Sequence, residues 1–570
     1  MSGDLQKMNN VIAEITKQIK TTVSNSVNDF LSDKGIEAEC PDFVVEKPRE
    51  KAHGDFAVNA AMMLARPAKM APAMIAGELI SRMNFEGTYI EKAETAGPGF
   101  INFTLKKDYL YDALRLAEEM GDDYGKQDIG GGKKIMVEFV SANPTGPMHM
   151  GNARGGALGD SLAAVLDLCG YDVTREFYLN DAGAQIDKLK KSLEARYLQI
   201  MLGETAVEFP EDGYHGKDII THMQNFIAEH PESYVDVPSE ERREVFASYA
   251  LKKNIAGLKT GLENYGINYD VWFRETSLYE NGDVEETIEL MKKSGHTYEK
   301  DGALWLKSTD FGLDKDDVLI RENGFPTYFA VDIAYHRNKF LVREFDKVIN
   351  IWGADHHGHV ARMKAAMASI GVDPERLDVI LMQLVRLVKE GKPVKMSKRT
   401  GEMITLSDLI DDIGLDATRF FFNLRAADSH FDFDLDLAAE QSSDNPVFYV
   451  QYAHARICSI LRRLEEEGVK PLSCNETDLS LLTADEEINL MEVLASYPEE
   501  IRLAAEHFDP TGLTRYTCEL ASAFHTFYNA CHVRIDDKAL MQARLRLTVT
   551  VKDTLFRALS VLGVSAPEKM

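Results

Sequence analysis

KIMVEFVSANPTGPMHMGNARGGALGDSLAAVL, residues 134–166, reads as a buried strand, a Pro- and Gly-rich turn and an amphipathic helix. Ile135, Met136, Val137, Phe139 and Val140 make the short apolar run required of a parallel strand covered on both faces. Only Glu138 interrupts it. Asn143, Pro144, Gly146 and Pro147 stop the strand, and Leu158, Leu162, Val165, Leu166 and Cys169 then recur at helical spacing as one apolar stripe. A strand feeding a helix through a tight turn aims free backbone N–H groups and the positive end of the helix dipole at whatever occupies the turn, which suits phosphate.

Working outward, a chain of 570 residues exceeds a single core and suggests several units. Its 45% hydrophobic and 27% charged residues are ordinary for a globular protein. The polar, amphipathic opening lacks a secretory apolar core, and no run of about 18 apolar residues occurs, so no membrane segment is expected and the cytoplasm is the expected compartment. A net charge of −28 argues against nucleic-acid binding through a global basic field, while leaving room for a local basic track. The six cysteines are scattered without C-x-x-C pairs, as reduced thiols would be.

Residues 1–110 read as a separate N-terminal α+β module, with a long first helix and a strand in GPGFINFTL (97–105), and 111–132 as a Gly- and Asp-rich linker. Strand and helix patterns alternate over 133–405, except for a charged, helical insertion at about 200–300, where apolar strand runs disappear before returning at ALWLKSTDFG, DVLIRENGFP, KVINIWG and LDVILMQLV. All of these strands are expected in one doubly wound, Rossmann-like parallel sheet, whose ligands lie beyond the carboxyl ends of its strands. After about 405 the strands are expected to stop, with 406–440 a joint and 441–570 an α-helix bundle.

His149 and Asn152, three apart, are expected on one face of the first turn of the opening helix, with Gly151, Gly155, Gly156 and Gly159 leaving room for a flat base; the same glycines would also permit close helix–sheet packing. In GKPVKMSKRTG (391–401), Lys395 and Lys398 stand on a basic loop bounded by glycines in an otherwise acidic chain. Mobile ammonium groups there can follow charge towards a leaving pyrophosphate.

HMGN after SANPTGP resembles the HIGH motif, and KMSKR the KMSKS motif, of class I aminoacyl-tRNA synthetases, with 246 residues between His149 and Lys395. VEFVSANPTGPMHMGNARGGALGD, REFYLNDAGAQI, TYFAVDIAYH, GADHHGH, KMSKRTGEMITLSDLI, NPVFYVQYAHARI and LGVSAPEKM narrow the resemblance to the arginyl-tRNA synthetase family across the whole chain. Two positions depart from the motifs: Asn152 replaces the second HIGH histidine and cannot carry its charge, and Arg399 replaces the last serine of KMSKS.

The resemblance implies ATP-dependent activation of L-arginine and transfer of the arginyl group to tRNA(Arg), with tRNA bound before activation. His149, Asn152, Lys395 and Lys398 would be catalytic; Gly151, Pro147, Met396, Ser397, Asp355 and His356 would meet ATP, which brings Mg2+. Glu138, Asn143, Tyr328 and Asp332 would hold arginine, Tyr328 and Asp332 lying four apart on one helical face. Glu138 is odd in a buried strand, and an ion pair within the fold is the other explanation. Phe100 and Asn102 would meet the tRNA elbow, and Tyr452 and Arg456 the anticodon, with His454 read as core. His356, His357 and His359 lack a cysteine partner, so no protein-held zinc is expected. Asp432, Asp434 and Asp436 in FDFDLDL read as a solvated strand face or a domain joint rather than a calcium loop. A monomer is expected.

Two other readings remain open. A cysteinyl-like class I specificity would call for zinc ligands that the spacing does not offer, and a non-catalytic tRNA-binding paralogue would be expected to lack His149 or Lys395, which are both present. For the enzyme, Lys395→Ala should lower the turnover of adenylation far more than ATP affinity, because the contact forms mainly in the transition state. Steady-state pyrophosphate exchange checks this, and a loss confined to ATP affinity would count against the role.

Overall fold

A computed structural model of the chain describes residues 8–48, 50–394 and 404–570. Its centre is a five-stranded sheet formed by β1 (Lys134–Glu138), β2 (Asp172–Leu179), β3 (Val271–Arg274), β4 (Lys347–Gly353) and β5 (Leu377–Met382). The spatial order is β5-β4-β1-β2-β3 and every pairing is parallel, the doubly wound order in which the crevice opens where the winding reverses beside β1. Four of the five residues of β1 are buried, as a strand covered on both faces demands. The strand stops at Glu138 rather than Val140, because Val140 and Ser141 take left-handed backbone with φ of 70° and 33°. For a β-branched valine that geometry costs energy and must be held in place by its surroundings.

The helix α1 (Met150–Leu168) packs flat on the sheet. A Cβ on Gly159 would stand 2.2 Å from Phe139, and one on Gly156 2.9 Å from Ile267, so these glycines serve close packing and not a bound base. Gly155, also buried, faces Met382. Gly151 alone of the four has open space beyond its Cα, with nothing within 4 Å.

Two expectations about the strands change. Thr297–Lys300, Ala303–Leu306 and Asp317–Ile320 do not join the main sheet; they form their own three-stranded antiparallel sheet, and the alternating burial of the last two is the mark of a sheet covered on one face. The main sheet instead gains β3, from inside the segment read as an insertion, a strand of only four residues at the sheet edge with no continuous apolar run to betray it. Before β3, the helices Ala184–Leu202, Lys217–Glu229 and Ser239–Asn264 share a core of Leu189, Leu193, Tyr197, Met223, Phe226 and Phe246. Asn254 Nδ2 reaches back from them to donate to the carbonyl of Pro144 in the turn after β1 (2.9 Å).

The N-terminal module packs the helix Val11–Lys34 with a four-stranded antiparallel sheet that includes Phe100–Leu105. Past residue 405 strands do not wholly stop: Phe431–Asp434 pairs in parallel with Val385–Lys389, and Asp432 is bonded to Arg386 (2.7 Å) while Asp434 caps a short helix. The long helices Pro446–Glu466, Thr511–Ala530 and Lys538–Val561 then lead the C-terminal bundle.

Arg419 ties these parts together. It has no exposed surface, and its guanidinium donates to Asp160 of α1 (2.6 Å) and to the carbonyls of Tyr265 (3.0 Å) and Leu562 (2.9 Å). Removing one partner of a buried ion pair typically costs about 3–5 kcal/mol. Arg419→Met is therefore expected to lose about that much stability, read as a lower thermal or urea midpoint; a loss below about 1 kcal/mol would contradict the role.

Candidate active site

Three polar side chains sit side by side in the sheet interior, since β1 pairs Glu138 with Asn350 of β4 and with Glu176 of β2. All three are buried, and a carboxylate there is costly unless paired. The helix α2 (Tyr328–Arg337), capped by the Thr327 side chain, supplies the partners together with the π-helical turn Asn338–Val342 that extends it. Glu176 is held by Tyr335 and Arg343, and Glu138 by the Lys339 ammonium, which also donates to Asn350 Oδ1 (3.0 Å). The ion pair foreseen as one explanation of Glu138 thus exists. Glu138 also lines a cavity.

That cavity, of about 390 Å³, opens beyond the carboxyl ends of β1, β2 and β4. It brings together Glu138, Asn143, Asn152, Asp332 and His356 from the predicted set and adds Ser141, Tyr178, Asn180, Trp352 and His359. Asp332 Oδ2 lies 2.9 Å from His359 Nε2. Tyr328, one turn before Asp332, stands more than half exposed, outside the cavity lining, and its hydroxyl accepts from the Ala184 amide (3.4 Å). Behind the wall, the Tyr178 hydroxyl donates to Glu275 Oε2 (3.0 Å), and Asn180, with its amide turned to suit its neighbours, donates to the same oxygen (2.8 Å). Burial, reinforced by the charges of Asp332 and Asp181, pushes the Glu275 carboxyl up to about 7 despite the Tyr178 bond. Glu275, Tyr178 and Lys339 were missed in the sequence. Glu275 stands in a charged stretch that gives no periodic signal, and only the tertiary fold carries it to this wall.

A second cavity, of about 1030 Å³, is lined by His149, Met150 and Gly151 together with Leu384, Arg386, Val394, Ile404 and His430. His149 is the N-cap residue of α1, in extended backbone, so it faces this cavity while Asn152 faces the first. The two do not share one face, because the cap residue lies outside the helical repeat. The HMGN turn is stitched to the segment after the lysine loop, with the Met150 amide donating to Ile404 O (3.2 Å) and the Leu406 amide to Met148 O (3.0 Å). Lys395, Met396, Ser397 and Lys398 lie outside the described residues; Val394 and Ile404 bring both flanks of that stretch to the His149 cavity. Pro147 lines neither cavity but a groove on the far side of the turn, and Asp355, largely exposed, lines none of the three. Among the described residues no group of three or more His, Cys, Asp or Glu is placed to hold a metal ion.

Farther out, Phe100 and Asn102 share the half-exposed face of their strand. In the bundle Tyr452 is exposed, and Arg456 Nη2 donates to its hydroxyl (2.9 Å) while the guanidinium lies 4.7 Å from the Tyr452 ring centre and 5.0 Å from that of Tyr528. His454, on the opposite side of that helix, is buried and bonded to Pro567 O (2.9 Å), a core residue as read. No helix among the described residues is long and apolar enough to cross a membrane.

Comparisons with known proteins account for the whole length. Residues 13–105 match the arginyl tRNA synthetase N terminal domain, 118–426 the catalytic domain of class I tRNA synthetases (R), and 450–570 the DALR anticodon binding domain. An arginine–tRNA ligase of Ruminiclostridium cellulolyticum is 56% identical over 99% of this chain and 100% of its own, and one from Caldanaerobacter subterraneus 57% identical over the same shares. Among solved structures, a putative arginyl tRNA synthetase from Campylobacter jejuni, 35% identical, superposes with a TM-score of 0.75 over 82% of this chain and 100% of that one. The arginyl-tRNA synthetase of Thermus thermophilus, 22% identical, gives 0.76 over 98% and 100% and speaks to the fold alone. With parallel strands that carry HMGN at the crevice and full-length relatives above half identity, the chain belongs to the arginine–tRNA ligase family, the arginyl-tRNA synthetases.

Proposed function

We propose that this chain joins L-arginine to tRNA(Arg): arginine and ATP form arginyl-adenylate and pyrophosphate, and the arginyl group then passes to the 3′ end of the tRNA. The observation that carries the substrate assignment is the acidic wall of the 390 Å³ cavity, where Asp332 faces the space with Glu275 and Asp181 close behind. A guanidinium carries five donors in a plane and matches such a wall better than an ammonium does. Asp332 takes the guanidinium, with Tyr328 closing the rim, while Glu138 and Asn143 take the polar groups at the α-carbon. His149 and Gly151 meet ATP in the adjoining cavity, Asn152 reaches the reacting groups from the arginine side, and Lys395 and Lys398 neutralise the departing pyrophosphate.

Adenylation is in-line attack of the arginine carboxylate on the α-phosphorus, so the chain need supply only positioning and charge stabilisation. Magnesium arrives on the phosphates of ATP. The Tyr452–Arg456 platform suits unstacked bases of an anticodon loop, and the Phe100–Asn102 face suits the tRNA elbow. The enzyme acts in the cytoplasm as a monomer, with tRNA bound before arginine is activated.

Arginine-dependent pyrophosphate exchange with and without tRNA tests the assignment; no exchange under either condition would refute it. Asp332→Asn should raise the KM for arginine by on the order of 100-fold while the KM for ATP stays within about twofold, and an unchanged arginine KM would remove Asp332 from the pocket. Because Glu275 is pushed up to about 7, it is largely protonated below that pH and ionised above it. A cationic guanidinium favours the ionised form, so arginine affinity should rise as pH increases from 6 to 8, and Glu275→Gln should flatten the rise. A wild-type profile already flat across that range would contradict it.

A further inference from the structure

We infer that Lys339, which nothing in the chemistry above employs, is the positioning residue that fixes the Glu138 carboxylate for the α-ammonium group of arginine. The inference rests on the reading of the 390 Å³ cavity as the arginine site. Lys339 has no exposed surface and does not line the cavity, whereas Glu138 does. Its ammonium donates to Glu138 Oε2 and to Asn350 Oδ1 (3.0 Å) and lies 4.1 Å from the centre of the Tyr335 ring. The π-helical turn Asn338–Val342 supplies the geometry, because its wider winding places Lys339 back over the sheet just past the end of α2.

The hydrogen bonds around Lys339 run in one consistent direction. Asp332 O accepts from His336 Nδ1 (2.8 Å), His336 Nε2 accepts from Asn350 Nδ2 (2.8 Å), and Asn350 Oδ1 accepts from Lys339. On the other side Glu138 Oε1 accepts from the Ser141 hydroxyl (2.9 Å), whose oxygen accepts from the Tyr178 amide (3.1 Å). Every donor meets an acceptor only if His336 is neutral, and burial, helped by the Lys339 charge, holds its pKa well below the usual range. The chain therefore connects the backbone of Asp332 to the strained Val140–Ser141 turn through Lys339 and Glu138. With Lys339 on one oxygen and Ser141 on the other, the Glu138 carboxylate is fixed in orientation yet keeps lone pairs for a further donor.

The test is pyrophosphate exchange with tRNA bound, measured for the arginine KM, the ATP KM, and inhibition by 5-guanidinopentanoate, which is arginine without its α-amino group. Lys339→Met should raise the arginine KM at least about tenfold, leave the ATP KM within about twofold, and leave inhibition by 5-guanidinopentanoate unchanged; Lys339→Arg should recover most of the loss. Equal weakening of arginine and 5-guanidinopentanoate, or no change in either, would overturn the inference. Glu138→Gln separates the two levels. If it leaves the arginine KM unaltered, the reading of the pocket fails; if it raises that KM and Lys339→Met does not, only the role of Lys339 fails. The double variant Glu138→Gln/Lys339→Met removes both charges and decides the matter should Lys339→Met not fold. It should match Glu138→Gln alone, and a clear further loss would overturn the inference.

Discussion

The pairing of Glu138 with Lys339 is the constraint around which the catalytic core is arranged. A carboxylate in the interior of a parallel sheet is tolerable only if a cation reaches it, and here the cation must come from outside the sheet. That requirement fixes where α2 and its π-helical extension lie, and the same extension satisfies Asn350, while Tyr335 and Arg343 satisfy Glu176. Asp332, on the same helix, is thereby carried to the mouth of the crevice. The polar row costs stability that an apolar row would not. In exchange, it gives one determinate geometry to a wall built from three strands and a helix.

The turn after β1 has two duties that the geometry keeps apart. Its first residues, held in left-handed backbone by the Ser141 bonds, face the acidic cavity; its last, at the cap of α1, face the cavity flanked by Val394 and Ile404. Asn254 braces the turn from the helical segment behind it. An amino acid in one cavity and a nucleotide in the other would meet across a single stretch of backbone, so small errors in the turn would misplace both reactants.

Much of this was legible in the sequence, for definite reasons. β1 and α1 announced themselves because burial on two faces and on one stripe leaves different periodicities, and HMGN and KMSKR because their chemistry needs fixed residue types at fixed places. Glu138 stood out as a charge where none is cheap. β3 did not show, because a four-residue edge strand needs no continuous apolar run, and the antiparallel sheet at 297–320 was assigned to the wrong layer because strand patterns alone do not say which sheet a strand joins. For the inner glycines of α1 the sequence left two readings, room for a base or close packing, and the structure decides for packing, because Phe139 and Ile267 fill that room. Lys339 and Glu275 were invisible for a different reason. A lysine after a helix and a glutamate in a charged segment look solvated until the fold buries them.

Whether arginine lies in the cavity between β1 and α2 is decided by a crystal structure with L-arginine bound. The expected result is density in that cavity, with the guanidinium within hydrogen-bond distance of Asp332 and the α-ammonium within hydrogen-bond distance of Glu138. Arginine bound elsewhere, or bound in the reverse orientation with its guanidinium on Glu138, would contradict it.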